Sequence, residues 1–520
     1  MSRRKFLTWT GVAGALAFTP GLVEVPTAYP VPASRGDHLF TLGVASGDPL
    51  QDAVVLWTRL APAPLQRRGG MTEVPVPVEW EVALDNSFRQ VIRRGVELAI
   101  PRDGHSVHVD VRGLEPATDY FYRFRATGHV SDTGRTRTAP APGSRTDAFT
   151  FAWVSCQSWA DGFFNAYDDL AAAAPDVVFH LGDYVYEKGI EIGGGRRNTN
   201  AMPQSCLYEM ATLDDYRDRY ALYKLDPQLQ NAHRVSPFVI TMDDHEVENN
   251  WAAAISEEGA PVPDFLARRA MAFKAWWENA PVRAGLRPGG ADMQIYRRFD
   301  FGDIARFSVL DTRQYRSDQA GGDTDGPQTE LTADPTRSIT GDVQERWILD
   351  GLGSSTARWN VLAHQTTIAD LARTKDGTRA VSMDGWSGYE ASRSRILNGA
   401  RDRGVRNLVS VVGDIHRSVV SELKPTYSRP ADTIGVELAG TSISSGKDGA
   451  DSDDNDRLLK ASSPHVKFGN AQRGYVLNTL SHSEWNAEFR VADSIADPTN
   501  QLHRRALVTI PDGRPEIDVI

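Results

Sequence analysis

The sequence predicts an α/β protein in two parts, a small all-β segment followed by a larger domain built on a mainly parallel sheet. From Phe40 to about Pro142, apolar and polar side chains alternate with the period of two expected of half-buried strands. Beyond Ala139-Pro140-Ala141-Pro142-Gly143-Ser144, short apolar runs alternate with helical segments, the texture of βαβ units. Most of those runs end in a side chain able to bind a metal ion, and ligands of open α/β sheets gather outside the carboxyl ends of the strands. At 520 residues the chain is too long for one ordinary core.

The first residues stand apart. Ser2-Arg3-Arg4-Lys5-Phe6-Leu7 precedes a short apolar stretch, Trp9 to Phe18, which Pro20 and Gly21 break. That stretch is too short to span a bilayer. A twin arginine followed by Phe-Leu resembles the signal of the twin-arginine export route. Residues 1–33 are therefore expected to be a signal peptide and leader read by the twin-arginine export machinery, cleaved after Ala28 or Ala33. The mature protein is expected to be secreted or held in the cell envelope, with its fold beginning near His38.

Residues 38–142 read as an N-terminal β-sandwich like an immunoglobulin or fibronectin type III module. Glu79 to Ala83 and His105 to Val111 alternate as strands, Gly113 to Asp119 supplies a turn, and Tyr120, Tyr122 and Phe124 share one face of the next strand. No ionisable cluster appears there, so its expected role is packing or shaping an entrance. Residues 148–500 are the expected catalytic domain, with 501–520 a C-terminal strand or tail. Phe149 to Val154, Asp176 to Leu181, Pro237 to Met242, Trp359 to Ala363 and Asn407 to Val412 are its apolar runs, and Asp168 to Ala174 and Val343 to Leu352 look helical. The segment Gly321 to Arg337 and the acidic run Asp448 to Asp456 read as loops.

A formal net charge of -11 argues against unaided binding to nucleic acid or an anionic membrane. It leaves open a small phosphate ester, whose charge metal ions meet locally. The candidate ligands follow the apolar runs in turn: Cys156 after Ser155, Asp183 with Tyr186 three positions on, Asp243-Asp244-His245-Glu246, His364, and Asp414-Ile415-His416. Taken singly each is weak, because an aspartate after glycine is ordinarily a turn residue and a lone histidine such as His364 is ordinarily a hydrogen-bonded one. The recurrence at five strand ends is what points to a shared rim. Adjacent carboxylates such as Asp243 and Asp244 also raise each other's pKa unless a cation lies beside them.

The residue types divide between two metal positions. Asp183 has two oxygens with which to bridge two ions. Tyr186 as a phenolate suits a hard trivalent ion, and with Cys156 and His416 it makes a mixed site better suited to iron than to calcium or magnesium. Asp243 or Asp244 with Asp414 makes an oxygen-rich second site suited to Ca²⁺ or Mg²⁺. Of the two cysteines, Cys156 and Cys206, a disulfide is the ordinary reading in an exported protein. The place of Cys156 at a strand end favours a ligand instead, with Cys206 unpaired.

At these residues a resemblance becomes visible. Gly182-Asp183, Asp243-Asp244-His245-Glu246 and Gly413-Asp414-Ile415-His416 resemble variants of the metallophosphatase motifs Gly-Asp, Gly-Asn-His-Glu and Gly-His-any-His. The replacements resemble the PhoD-like alkaline phosphatase and phosphodiesterase family, as do Gly43 to Pro49, Leu56-Trp57-Thr58-Arg59, Asp311 to Arg316 and Gly385 to Tyr389. The resemblance implies a four-layer metallophosphatase core, a β-sandwich flanked by helices. It further implies Fe³⁺ held by Cys156, Asp183, Tyr186 and His416, and Ca²⁺ held by Asp183, Asp244 and Asp414. His245 stands where related enzymes assist the leaving group. His364 stands where they place another ligand, yet its nitrogen is a poor partner for Ca²⁺, so either the second metal is softer or His364 contacts substrate.

The function expected is that of a secreted phosphoesterase hydrolysing monoesters or diesters by metal-activated hydroxide, with His245 and Asp183 catalytic. The chain is expected to be a monomer acting on a small phosphate ester or a phospholipid. A phospholipase D-like diesterase of the same family is the enzyme alternative, and a secreted metal-containing binding module the non-enzyme one. No Gly-any-Ser-any-Gly nucleophile elbow competes with this reading. Arg217 and Arg313 lie in matching segments, but structural ion pairing is the commoner fate of an arginine, and neither is assigned to phosphate.

Overall fold

Two large sheets organise the chain. The computed structural model describes residues 38–520 except 323 and 376, so the expected signal and leader lie outside the described residues. At the centre of the first sheet Phe149–Val154, Val177–His180 and Phe238–Ile240 lie side by side and parallel. Arg473–Leu480, Glu484–Ala492, Leu502–Pro511 and Asp518–Val519 extend it antiparallel on one side. On the other side Val44–Leu50 adds in parallel, then Ala53–Arg59 and Ser106–Arg112 antiparallel, which makes ten strands.

The second sheet has seven strands, of which Ala305–Val309, Trp359–His364, Leu408–Val412 and Gly435–Ala439 are consecutive and parallel. The two sheets face each other across one apolar cluster, where Phe151 and Phe179 of the first meet Phe307, Val361 and Val411 of the second. Phe179 and Phe307 stack there with ring centroids 4.4 Å apart. The outer face of the first sheet, through Val154, Val178 and Ile240, packs on Leu170, Tyr220, Leu229 and Trp276 of four helices. The second sheet's outer face meets the helices Gly341–Gly353 and Glu390–Asp402 through Ile348 and Ile396. Strands buried on both faces must be apolar throughout, which is why these runs do not alternate.

Two findings refine the sequence reading, the sheet membership of the N-terminal strands and a helix in the acidic run. Residues 38–142 divide between two sheets, one of them shared with the rest of the chain. Val44–Leu50, Ala53–Arg59 and Ser106–Arg112 belong to the ten-stranded sheet, while Val91–Ala99, Val76–Ala83, Asp119–Ala126, His129–Val130 and Gly134–Arg137 form a separate sheet of five. Alternation reports that a strand has one buried face, not which sheet covers it; Tyr120, Tyr122 and Phe124 are indeed all buried. The segment beyond 500, read as a strand or tail, is a strand of the main sheet, with Val508 and Ile510 in the core. The acidic run at 448–456 also starts a helix, Asp454–Ser462. Asp453 caps it reciprocally with Asp456, and carboxylates suit a helix N-terminus. Cys156 and Cys206 are both buried free thiols. No helix among the described residues is long and apolar enough to cross a membrane.

Candidate metal centre

The parallel strands of both sheets deliver their carboxyl ends to one rim, and two glycines let the loops there close up. Gly182 has φ +110°, and a Cβ on it would overlap Asp243 Cβ and lie 2.6 Å from the Asp243 nitrogen. A Cβ on Gly413 would overlap Ser155 Oγ and lie 2.7 Å from Ser155 Cβ. Each glycine thus abuts the loop from another strand. Four non-glycine residues at this rim, Cys156, Asp183, Asp414 and His416, have φ between 51° and 64°. Left-handed backbone costs a non-glycine residue about 1–3 kcal/mol and clusters at functional sites.

Hydrogen bonds hold the strained loops in register. Glu246 Oε2 accepts from the backbone N–H of Asp183 (3.1 Å) and of Asp243 (2.9 Å), and its Oε1 accepts from Tyr184 N–H at 2.6 Å. Gln365 ties the second sheet to the first. Its side-chain amide donates to the Met242 carbonyl at 2.7 Å, its Oε1 accepts from Thr312 at 2.8 Å, and its carbonyl accepts from Gly413 N–H at 2.9 Å.

Two ligand groups result. Cys156, Asp183 and His416 present donor atoms within 4.8 Å of one another, and Asp183, Asp244 and His245 do the same. Asp183 belongs to both. Tyr186 joins the first group, its hydroxyl donating to Asp183 Oδ2 at 2.8 Å and lying 3.2 Å from His416 Nε2. Ser445 Oγ lies 2.7 Å from the Tyr186 oxygen and donates to the Cys156 carbonyl at 2.7 Å. In the second group, His245 Nδ1 is 2.7 Å from Glu187 Oε2, and Tyr186 lies over the His245 ring at 4.3 Å.

The electrostatics are those of anions packed without enough counter-charge. Burial, followed by the carboxylates of Asp244 and Asp243, pushes Asp183 well up despite the opposing pull of His245. Burial and Asp183 likewise raise the Cys156 thiol and the Tyr186 phenol. Burial and Asp384 carry Asp414 up to about 7 despite Arg313. Burial drives His416 down to about 3, which keeps its imidazole neutral with a lone pair to give. Asp183 Oδ1 has no hydrogen-bond partner although buried, and Asp244 Oδ1 has only the Arg313 guanidinium at 3.5 Å. Burial thus favours the protonated form of Asp183, whereas Arg313 and His245 outweigh burial at Asp244 and hold its carboxyl below the usual range; both carboxylates keep oxygens unspent. The donor set, thiol, phenol, imidazole and carboxylate in one cluster, fits a hard ion on one side and an oxygen-preferring ion on the other.

Three of the sequence-predicted ligands, His364, Asp243 and Asp414, stand outside the two groups. His364 is buried with Nε2 3.0 Å from Ser410 Oγ, and that hydroxyl donates to Glu437 at 2.9 Å. Trp359, Val361 and Ala363 face the other sheet while Leu362 faces the helices, so strand parity turns His364 to the helical side, near Trp386. Asp243 accepts from Arg313 Nε at 2.6 Å and belongs to neither ligand group. Arg313 is itself held by Asp384 at 2.7 and 2.9 Å, and Asp384 also takes Arg316 at 2.6 Å. Arg217 pairs with Glu278 at 2.6 Å, outside these groups. Sequence reasoning missed Glu187, Asp384 and Ser445. Glu187 alone had a signal, one position after Tyr186.

Comparison with known proteins adds a family. Residues 151–489 match the model of the PhoD-like phosphatase, and residues 26–140 that of the PhoD-like phosphatase N-terminal domain. The chain belongs to the PhoD-like phosphatase family. It is similar to alkaline phosphatase D of Bacillus subtilis (strain 168), 44% identical over 512 residues, which cover 97% of this chain and 86% of the relative. A solved structure described as that of PhoD aligns with a TM-score of 0.89 at 43% identity, covering 93% of this chain and 92% of the other. The family's matched stretch contains every residue of both ligand groups.

Proposed function

We propose that this chain is an exported, metal-dependent phosphoesterase that hydrolyses phosphate monoesters or diesters, with two cation positions that share Asp183. One observation carries the reading. A thiol, a phenol, an imidazole and several carboxylates converge in a buried cluster whose Asp183 and Asp244 oxygens are left without adequate partners. Cys156, Asp183, Tyr186 and His416 would hold iron, and Asp183, Asp244 and Asp414 would hold calcium. Bound there, the ions polarise a phosphoryl group and activate the attacking water.

The chain's own groups do the rest. Burial would discharge His245, but Asp244, Asp183 and Glu187 outweigh it and hold the ring well above its ordinary value. Glu187 fixes Nδ1, which leaves Nε2 as the proton donor to the departing alcohol. Arg313, clamped by Asp384 and Asp243, acts as a fixed positive charge inside the acid cluster rather than as a free phosphate ligand. On this reading the facing sheets and their helices are the four-layer metallophosphatase core, and the five-stranded N-terminal sheet shapes the entrance. Export by the twin-arginine route rests on Arg3-Arg4 with the Phe6-Leu7 and short apolar stretch that follow.

The test is metal analysis of protein purified without chelator, alongside hydrolysis of a chromogenic phosphate ester. Removing the metal should abolish activity while the far-UV circular dichroism is retained, and Asp183→Asn should lower occupancy of both positions. Full activity in protein shown to be metal-free refutes the reading. Loss of one metal with full retention of the other refutes a shared Asp183.

A further inference from the structure

A cavity lies beside the loops of this rim. It has a volume of about 290 Å³, close to the lower end of small-molecule sites. Two of its walls continue loops that hold the acid cluster. Ile415, which lines it, stands between Asp414 and His416, and Gly385, which also lines it, follows the Asp384 that clamps Arg313. We propose that this cavity binds the uncharged organic group of the phosphate ester, an alkyl or aryl alcohol of roughly one to two rings, while the phosphoryl group lies at the metal centre. The proposal rests on the phosphoesterase reading and adds to it the kind of alcohol the enzyme prefers.

The lining decides between an apolar and an anionic occupant. Leu371, Ile415 and Leu459 come from one apolar cluster and give the cavity a hydrophobic side. Two arginines also line it, and both are already neutralised. Arg417 meets Asp453 at 3.0 Å and Asp456 at 2.6 Å, and Arg373 meets Asp325 at 2.8 Å. A second phosphate or a carboxylate would have to displace those carboxylates, so it gains little there. An uncharged group gains by burying apolar surface, at about 25 cal/mol per Å². Ser382 lines the cavity and is exposed, so a large side chain there can enter it from the solvent side.

Competitive inhibition tests this on the metal-loaded enzyme, with p-nitrophenyl phosphate as substrate and three phosphonates that each carry a single organic group. Benzylphosphonate should bind about tenfold or more tighter than methylphosphonate, as expected for roughly 60 Å² of apolar surface buried. The charged 2-carboxyethylphosphonate should stay close to methylphosphonate. Ser382→Trp, which fills the mouth, should collapse the benzyl-to-methyl ratio toward one. Leu371→Asp, which makes the wall polar, should do the same by a different route, so a folding defect in one variant does not decide the outcome. A ratio near one in the unsubstituted enzyme, tightest binding by the carboxyethyl compound, or a ratio that survives both substitutions overturns the proposal. Protein that carries its metals yet neither hydrolyses the ester nor is inhibited by inorganic phosphate overturns the phosphoesterase reading instead, and the cavity proposal with it.

Discussion

Replacing Lys224 with methionine should make the protein more stable, and more so at neutral than at alkaline pH. Lys224 ends the helix Leu213–Lys224 and is only 2% exposed. Its amine donates to the Tyr184 hydroxyl at 3.1 Å and lies 4.2 Å from the centre of the Trp57 ring, with no ion pair among the described residues. Burial, and then the Arg59 guanidinium, lowers it from 10.5 to about 7. Above pH 10.5 the amine is neutral whether the chain is folded or not, and it costs nothing. As pH falls, the unfolded chain takes up the proton first, so stability is lost progressively down to about pH 7 and no further. A gap of about 3.5 pH units at about 1.4 kcal/mol each makes the penalty about 5 kcal/mol at pH 7. Methionine loses the hydrogen bond to Tyr184, about 1 kcal/mol, but fills a similar volume. The net expectation at pH 7.5 is a gain of about 2–4 kcal/mol that shrinks to nothing or turns into a loss near pH 10.5. Urea unfolding of both proteins at several pH values measures it. A variant less stable at every pH, or a difference that does not change with pH, shows that the amine is charged and paired in the folded state.

Three further outcomes concern the rim. Gly182→Ala should push the Asp243–Asp244 loop away, because its Cβ overlaps Asp243, and should lower metal occupancy and cut kcat/KM by about tenfold or more, read by metal analysis and steady-state kinetics. Gln365→Leu leaves the Met242 carbonyl and the Thr312 hydroxyl buried without this partner, at about 1–3 kcal/mol each. It should therefore weaken metal binding and lower the urea midpoint together, and native-level occupancy would show that the register of the loops does not depend on it. Glu187→Gln removes the carboxylate on His245 Nδ1, so the ring should lose its proton at lower pH and the alkaline limb of the kcat/KM profile should move down. An unmoved limb would mean that His245 is not the group that titrates there.

The strands and the polar side chains gathered at their ends were legible because the physics that makes them is local. A run such as Phe149 to Val154 must be apolar because both its faces are covered, and a change to Ser-Cys at its end marks where the sheet meets the rim. The same local reasoning had the information to place His364. It shares parity with Leu362 rather than with Val361 and Ala363, and the side of a strand follows from that alone. What parity needs is knowledge of which face is which, and five apolar runs read as one sheet conceal that two sheets face each other. The sharing of N-terminal strands with the main sheet was hidden for a related reason. Half-buried strands look alike whichever sheet they join, and Val44–Leu50 joins the main sheet by edge pairing with Phe238–Ile240 at Gly47.

The partners that tune the cluster were not legible, and their separations show why. Asp384 reaches Arg313 from 71 positions away, Glu187 reaches His245 from 58, and Ser445 reaches Tyr186 from 259. No periodicity links such pairs, because each sits on a loop whose course is set by sheet order rather than by its neighbours in the chain. The ligands themselves obey a rule of position, since a strand's carboxyl end must lie at the rim. Their partners obey only a rule of charge. A buried cluster of Asp183, Asp243, Asp244 and Asp414 demands cations or protons, and Arg313 and His245 are the protein's own supply. Arg313 in turn is held by Asp384, so the folded chain meets the demand with a fixed guanidinium bound to a second carboxylate, not with a mobile one. That arrangement keeps Asp243 engaged and leaves Asp183 and Asp244 with oxygens to spare, so an arginine 70 positions downstream of Asp243 decides which carboxylates keep oxygens free.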